Sequence, residues 1–195
     1  MNVRRYCVAL VAGLALALAA LSAARAADVS EPVLLVAKPE LGEFYRSTVL
    51  FARPMGNGRH VGFIINRPTP MTLGKLFPEH APSQKVTQPV LLGGPVNVES
   101  IFAVVHHEPT PGDKSIPLAP DMSLAFDVDT VDRIIEREGN AARFFVGLVV
   151  WQPGELEAEL QRDFWFVMKG DSEMVFRKST DGLWEELVRK SRDML

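Results

Sequence analysis

Cysteine is almost absent from this sequence. The only one, Cys7, lies within the first 26 of the 195 residues, in a segment with the pattern of an export signal. If that segment is removed, the protein has no thiol. This excludes a disulfide framework, a thiol nucleophile and a cysteine-ligated metal site.

A surplus of positive charge is also lacking. The chain has 21 basic and 24 acidic residues, and three of the arginines precede residue 27, which leaves 18 basic against 24 acidic residues and a net charge of −6. Proteins that bind nucleic acids usually carry a basic patch, because contacts with phosphates dominate their affinity. No run of lysine and arginine occurs here, so we predict no nucleic-acid partner.

The N-terminal segment has the three parts of a secretory signal peptide. Arg4 and Arg5 supply positive charge, residues 6–21 are uncharged and mostly Leu, Ala and Val, and Ala24-Arg25-Ala26 forms a small-x-small cleavage site. We predict a signal peptide over residues 1–26, with cleavage between Ala26 and Ala27. The alternative is a retained anchor, but a spanning helix needs about 20 apolar residues and this core is shorter. The prediction is a periplasmic or secreted protein with no stable membrane span after processing.

Residues 27–195 contain no internal repeat or second-domain signal, and they suffice for one domain with a hydrophobic core. Apolar runs predict strands at 33–37, 47–52, 60–65, 90–92, 101–106, 122–126, 143–151 and 164–168. Caps and apolar periodicity predict helices at 72–77, from a cap at Asp129 or Thr130 to Gly139, at 155–162, and from about 181. Pro68 and Pro70 are expected to stop strand pairing, and segment 108–120 to form a long loop. Strands and helices in this order predict an α+β domain with a curled mixed sheet.

Four segments of the chain together resemble the YqgE/AlgH family of small bacterial proteins. They are the strand pair at 35–37 and 44–49, the turn Gly56-Asn57-Gly58 with 61–68, the corner at 92–96, and a group formed by Gly147, Trp151, Gly154, 155–157, Glu159 and Trp165. Their order and spacing are specific, and the similarity covers roughly residues 32–190. The resemblance implies a single domain with a curled, mixed or antiparallel, barrel-like sheet flanked by helices. A regulatory role in alginate production has been proposed for one branch of the family, without an accepted biochemical activity.

The chain departs from the family in two ways. Family members are usually cytoplasmic and begin near the first strand, whereas this chain begins with an export signal. Members often carry an acidic or histidine-bearing segment after the second strand, where this chain has Ala52-Arg53-Pro54.

Asn66 and Arg67 follow a predicted buried strand, a place where α/β proteins often bind ligands. Asn66 is a candidate to hydrogen-bond a ligand, and Arg67 is a candidate to bind a carboxylate or phosphate. The alternative is structural: Asn66 bonds the turn backbone, and Arg67 pairs with a helix carboxylate such as Glu155 or Glu159. Both interpretations give Arg67 an anionic partner.

Gly93, Gly94 and Trp151 complete the candidate ligand-binding set. Gly93-Gly94-Pro95 is either a backbone nest for an anion or a tight turn that needs positive φ, and we favour the turn. Trp151, at a strand end, is placed either to stack on a ligand or to pack in the core or rim.

No catalytic residue, metal site or cofactor is predicted. His106 and His107 are neighbours on a strand, so their side chains point to opposite faces, and His60 and His80 lie elsewhere. Asp129 is explained as a helix cap, and no Gly-x-Ser-x-Gly nucleophile elbow is present.

These features favour a non-enzymatic binding or regulatory protein of the cell envelope, whose partner is an envelope protein or a small anionic ligand. The second interpretation is an enzyme of unrecognised type that acts on an anionic small molecule, with Asn66, Arg67 and Asp127 as its candidate residues. The third is a transcriptional regulator, against which both the acidic charge and the export signal count.

Overall fold

The chain is built around one long, curled β-sheet. A computed structural model describes residues 28–42, 44–108 and 113–193. The predicted signal peptide and its cleavage site at Ala26 and Ala27 lie outside these residues. Within them, no helix is both long and apolar enough to cross a membrane.

Ten strands of the described residues form the sheet. They are β1 (Val33–Ala37), β2 (Val49–Gly56), β3 (Arg59–Ile64), β4 (Pro68–Thr72), β5 (Pro89–Leu92), β6 (Val96–Val105), β7 (Ser115–Ala119), β8 (Met122–Ala125), β9 (Arg143–Trp151) and β10 (Trp165–Lys169). The main order is β10-β1-β2-β3-β9-β6-β8-β7, while β5 pairs with β9 and β4 pairs with β5. The β5–β9 pairing is parallel, and the others among these strands are antiparallel. The predicted α+β class with a curled, barrel-like sheet is confirmed.

Strand β9 is the centre of the sheet because it pairs with three other strands. Its last three residues pair with β3, and its earlier residues pair with β6 and β5. Seven of its nine residues are buried, in agreement with the nearly continuous apolar sequence RFFVGLVVW. The strand has the predicted bounds, and its one charged residue, Arg143, stands at its start.

The β2–β3 hairpin turns at Gly56-Asn57-Gly58 as predicted. All three residues have positive φ, at 83°, 52° and 70°, which glycine and asparagine adopt more readily than other residues. The hairpin pairs Leu50 with Ile64. It therefore brings the residues that follow β3, including Asn66 and Arg67, next to the beginning of β2.

Six helices of the described residues pack on the sheet. They are α1 (Leu73–Leu76), α2 (Ala81–Gln84), α3 (Val128–Glu138), α4 (Glu155–Gln161), α5 (Ser172–Phe176) and α6 (Leu183–Asp193). Alternate residues of β1 belong to two separate apolar clusters, one shared with α6 and the other with Leu156 of α4. Successive side chains of a strand point to opposite faces, so both faces of the sheet are buried there.

Several local predictions were wrong. Pro68 and Pro70 do not end pairing but lie in β4, an edge strand in which a missing N–H is tolerated. Part of the predicted 108–120 loop is the edge strand β7. The cap of α3 is Asp127, whose carboxylate accepts from the Thr130 N–H, and not Asp129 or Thr130. The short helices α2 and α5 were not predicted.

Candidate functional site

Asn66 uses both ends of its side-chain amide to hold the backbone before β2. Its Oδ1 accepts from the Val49 N–H at 2.8 Å, and its Nδ2 donates to the Ser47 carbonyl at 2.9 Å. Ser47 has φ of 54°, an uncommon value for a residue with a side chain. The amide therefore stabilises a tight corner, as the structural alternative for Asn66 expects.

Arg67 makes no ion pair within the described residues. Its Nη2 donates to the Phe44 carbonyl at 2.6 Å, and its guanidinium lies 5.1 Å from the centre of the Phe44 ring. Burial lowers the pKa of Arg67, and Tyr45 acts in the opposite direction. The expected pairing with Glu155 or Glu159 was wrong.

Glu159 instead binds two tryptophans. Its Oε2 accepts from Trp151 Nε1 at 3.1 Å and from Trp165 Nε1 at 2.8 Å. The two residues are only 3% and 5% exposed, and the ring of Tyr45 packs edge-on against Trp165. This position of Trp151 is that of a core residue with its N–H satisfied, so the indole is not presented to a ligand.

Gly93 and Gly94 are buried against β9. A Cβ on Gly94 would overlap the backbone of Leu148, and a Cβ on Gly93 would overlap the carbonyl of Gly147. The Gly93 N–H donates to the Val146 carbonyl at 2.8 Å, so it is not available for an anion. The tight-turn prediction was also wrong, because the positive φ belongs to Gly147, at 72°. Close approach of two backbones explains the glycines.

Asp127 is occupied as the cap of α3. Its carboxylate accepts from the Thr130 backbone and hydroxyl and from Lys114 Nζ at 3.1 Å. The hydrogen bond from Lys114 is the main cause that lowers the pKa of Asp127. Asp127 shares no hydrogen bond or cavity with Asn66 or Arg67 among the described residues.

One group of side chains has the composition of a metal site. The ligand atoms of His80, Asp132 and Glu136 lie within 4.8 Å of one another. His80 Nδ1 is 2.8 Å from Ser83 Oγ, and its Nε2 is 3.4 Å from Asp132 Oδ1. A surface contact between a histidine and a neighbouring helix accounts for this geometry, which gives no reason of its own to assign a metal.

A buried arginine at the start of β9 lines a cavity of about 200 Å³. Arg143 is 8% exposed. The cavity lies between the segment around β4 and β5 and the chain that joins α5 to α6. Arg143 was not among the predicted site residues.

The Arg143 guanidinium bonds only neutral oxygens within the described residues. Nη1 donates to Gln88 Oε1, and Nη2 donates to the carbonyls of Phe176 at 2.5 Å and Arg177 at 3.1 Å. Burial lowers the pKa of Arg143. The two carbonyls end the five-residue helix α5, whose dipole offsets only part of a full positive charge.

The other charged residues of the cavity do not compensate Arg143. Arg177 is paired with Glu186 of α6 at 2.7 Å. Lys178 and Asp181 are exposed at the rim, and the ion pairs of the described residues include neither Arg143 nor Asp181. The cavity therefore contains a buried cation without a counter-ion from the described chain.

Two other cavities, of about 270 and 410 Å³, have a different character. In the larger one Lys38 is paired with Asp163, and in the smaller one Lys85 and Arg137 stand among glutamates. None of the charged residues that line either cavity is buried. The Arg143 cavity is therefore the best candidate for a ligand site in the described residues.

Known proteins resemble this chain over most of its length. The model of a family described as AlgH-like matches residues 34–194. The chain belongs to the AlgH-like family. The resemblance to the YqgE/AlgH family, drawn from four segments, is thereby confirmed.

Relatives of this AlgH-like protein in Myxococcus xanthus and Streptomyces coelicolor carry the name UPF0301 protein. The one from Myxococcus xanthus is 30% identical over 163 residues, which is 81% of this chain and 88% of the relative. The one from Streptomyces coelicolor is 31% identical over 169 residues, which is 82% of this chain and 85% of the relative.

Two solved structures share the fold of this AlgH-like protein. A crystal structure of a protein from Corynebacterium diphtheriae has a TM-score of 0.69 and 20% identity, and the match covers 88% of this chain and 92% of the other. The solution structure of the AlgH protein from Pseudomonas aeruginosa has a TM-score of 0.67 and 20% identity, with coverage of 87% and 92%. At this identity the likeness concerns the fold alone.

The sequence of the AlgH-like protein does contain one signal for the Arg143 site. A charged residue begins a nine-residue strand that is otherwise apolar and mostly buried, and buried charges usually have a partner. The bonded residues Gln88 and Phe176 are 55 and 33 positions away, so no local sequence pattern identifies them.

Proposed function

We propose that this protein is an exported, non-enzymatic binding protein of the cell envelope, and that its ligand is a small anion held by Arg143. The observation that carries the proposal is a nine-tenths buried arginine that lines a cavity and whose guanidinium bonds only neutral oxygens of the described residues. Residues 27–195 carry a net negative charge. This does not conflict with anion binding, because the proposed site is a local positive charge.

A buried charge without a partner is unfavourable because the protein interior solvates it poorly. Removal of one partner from a buried ion pair typically costs about 3–5 kcal/mol. Without a bound anion, Arg143 resembles the charged residue that remains after its partner in a buried ion pair has been removed. An anion in the cavity would restore the pair, and a guanidinium is well suited to bind carboxylate and phosphate groups.

The contacts of the three residues named for the enzyme interpretation support binding over catalysis. Asn66 is used for backbone hydrogen bonds, and Asp127 caps a helix. Arg67 is held by the ring and the carbonyl of Phe44. An enzyme built on these three residues has no common cleft among the described residues, and we do not propose one.

Binding is tested by thermal unfolding of the purified protein in acetate or phosphate and in chloride at equal ionic strength. A ligand that binds only the folded state raises the unfolding temperature. Phosphate also stabilises folded proteins in general, so we expect acetate or phosphate to raise the unfolding temperature more for the parent than for Arg143→Gln. The matched control is Arg53→Gln. Arg53 also has a pKa lowered by burial and also donates to a carbonyl, that of Pro54 at 2.9 Å, but it does not line the cavity.

Equal responses of the parent and of Arg143→Gln would contradict the proposal. Since loss of Arg143 also removes three hydrogen bonds, Arg143→Lys is measured beside it. The lysine variant keeps the charge, and we expect it to retain part of the response. Circular dichroism establishes that each variant is folded.

Export is tested separately by cell fractionation and N-terminal sequencing. We expect the protein in the envelope fraction with Ala27 as its first residue. A protein in the cytosol that begins with Met1 would contradict the export part of the proposal and leave the binding part unaffected.

A further inference from the structure

We infer that the Arg143 cavity selects a small monocarboxylate with a short apolar body, an inference that rests on the proposed anion-binding function. The cavity is lined by residues of two kinds. The apolar lining consists of Ile65, Pro68, Pro89, Leu91 and Val175. The polar lining consists of Gln88, Arg143 and the segment 177–181.

The charge of the cavity fits a single negative charge. Arg143 is the one buried cation among its described lining residues, because Arg177 is partly exposed and already paired with Glu186. Lys178 and Asp181 are both exposed at the rim and carry opposite charges, so together they add no net charge to the site. A dianion such as the phosphate ion near neutral pH would therefore be left half-compensated in a buried site, which is unfavourable.

The guanidinium also has donors left for a ligand. It carries five N–H groups, and within the described residues three acceptors use them: Gln88 Oε1 and the carbonyls of Phe176 and Arg177. The remaining donors are the N–H of Nε and one N–H of Nη1, which lie on different edges of the guanidinium. A carboxylate oxygen can accept from one of them, while the apolar lining offers contact for a short hydrocarbon chain. A bare inorganic anion would leave the apolar lining without a partner.

The volume limits the size of the ligand. The cavity of about 200 Å³ is smaller than the roughly 300–1,000 Å³ of pockets that enclose drug-sized ligands. A nucleotide would extend well beyond a cavity of this size. A carboxylic acid with a few carbon atoms fits.

The test is calorimetric titration of the purified protein with acetate, propionate, butyrate, valerate and hexanoate, and with inorganic phosphate, at constant ionic strength. Burial of one methylene group contributes about 0.8 kcal/mol, so we expect the dissociation constant to fall about threefold to fourfold per added carbon until the cavity is full. We expect phosphate to bind at least tenfold more weakly than butyrate. Arg143→Gln should weaken butyrate binding at least tenfold, whereas Arg53→Gln should leave it unchanged.

The outcomes separate this inference from the function on which it rests. If phosphate binds through Arg143 and the carboxylates do not, the choice of ligand is overturned while anion binding stands. If the carboxylates bind with no dependence on chain length, the role of the apolar lining is overturned. If no anion binds, both this inference and the proposed function fail.

Discussion

Loss of the Glu159 carboxylate should destabilise the protein strongly, because two buried donors depend on one oxygen. Glu159 Oε2 accepts from Trp151 Nε1 at 3.1 Å and from Trp165 Nε1 at 2.8 Å. The tryptophans are 3% and 5% exposed, so water cannot readily replace the acceptor. Each buried donor left without a partner costs about 1–3 kcal/mol, and we expect Glu159→Leu to lower the free energy of unfolding by about 2–6 kcal/mol.

The variant Glu159→Gln keeps a hydrogen-bond acceptor at this position and removes the negative charge. A glutamine carbonyl still accepts from both indoles, but hydrogen bonds to a charged group are roughly twice as strong as neutral ones. We therefore expect a smaller loss of about 1–2 kcal/mol for Glu159→Gln. The control is Glu136→Leu, an exposed position on α3 without a hydrogen bond in the described residues, for which we expect a change within about 0.5 kcal/mol.

The assay is equilibrium unfolding in urea, followed by far-ultraviolet circular dichroism, because the fluorescence of the tryptophans would itself change with the substitution. If Glu159→Leu is no less stable than Glu136→Leu, the two hydrogen bonds do not hold this part of the core. If Glu159→Gln loses as much stability as Glu159→Leu, the charge matters more than the acceptor.

Three further predictions concern the backbone corners and a titrating histidine. Asn66→Ala leaves the corner before β2 without two hydrogen bonds, and we expect a loss of about 1–3 kcal/mol in urea unfolding; an unchanged midpoint would contradict this. Gly147→Ala should destabilise far more than Gly56→Ala in the same assay. Both positions have positive φ, so an alanine at either one costs about 1–2 kcal/mol of backbone strain. Only at Gly147 would the new Cβ also overlap backbone atoms. Equal losses of stability in the two variants would refute the close approach of the backbones at Gly147. A hydrogen bond to the Glu108 carbonyl, and to a smaller extent the contact with Glu138, raise the pKa of His107 above 6.5. The contribution of protonated His107 to folding stability is therefore fully present below pH 6.5 and is lost as pH rises through the raised pKa. We expect the stability difference between the parent and His107→Asn to shrink over that range, and a difference that does not change with pH would count against it.

The parts of the fold that sequence predicts well are those in which local chemistry agrees with the final structure. Strand β9 was predicted with its observed bounds because a nearly continuous apolar run has few alternatives to a buried strand. The turn at Gly56-Asn57-Gly58 was predicted because those residues favour positive φ. The helix predicted over 72–77 is found as α1, where the Thr72 hydroxyl accepts from the Lys75 N–H.

Edge strands and short helices were missed for a common reason. β4 and β7 contain proline, which normally argues against a strand, but each lies at an edge where the missing donor is not needed. The helices α2 and α5 span four and five residues, too few for an apolar periodicity to be visible. Their position is decided by contacts with distant parts of the chain.

The candidate site was predicted less well than the fold. The end of β3 was a reasonable choice, yet Asn66 is used to hold backbone and Arg67 has an aromatic partner where a carboxylate was expected. Arg143 was missed because its partners come from segments far away in sequence. The lone charge at the start of a buried strand was the signal present in the sequence.

The most direct test of the Arg143 site is a crystal structure of the natively purified protein, from crystals grown in the presence of butyrate. We expect density for a carboxylate within hydrogen-bond distance of the Arg143 guanidinium, with the alkyl chain against Leu91 and Val175. Two results would contradict it: a cavity without an anion, or the carboxylate of Asp181 turned inward to pair with Arg143. In the second case the chain itself would supply the counter-ion.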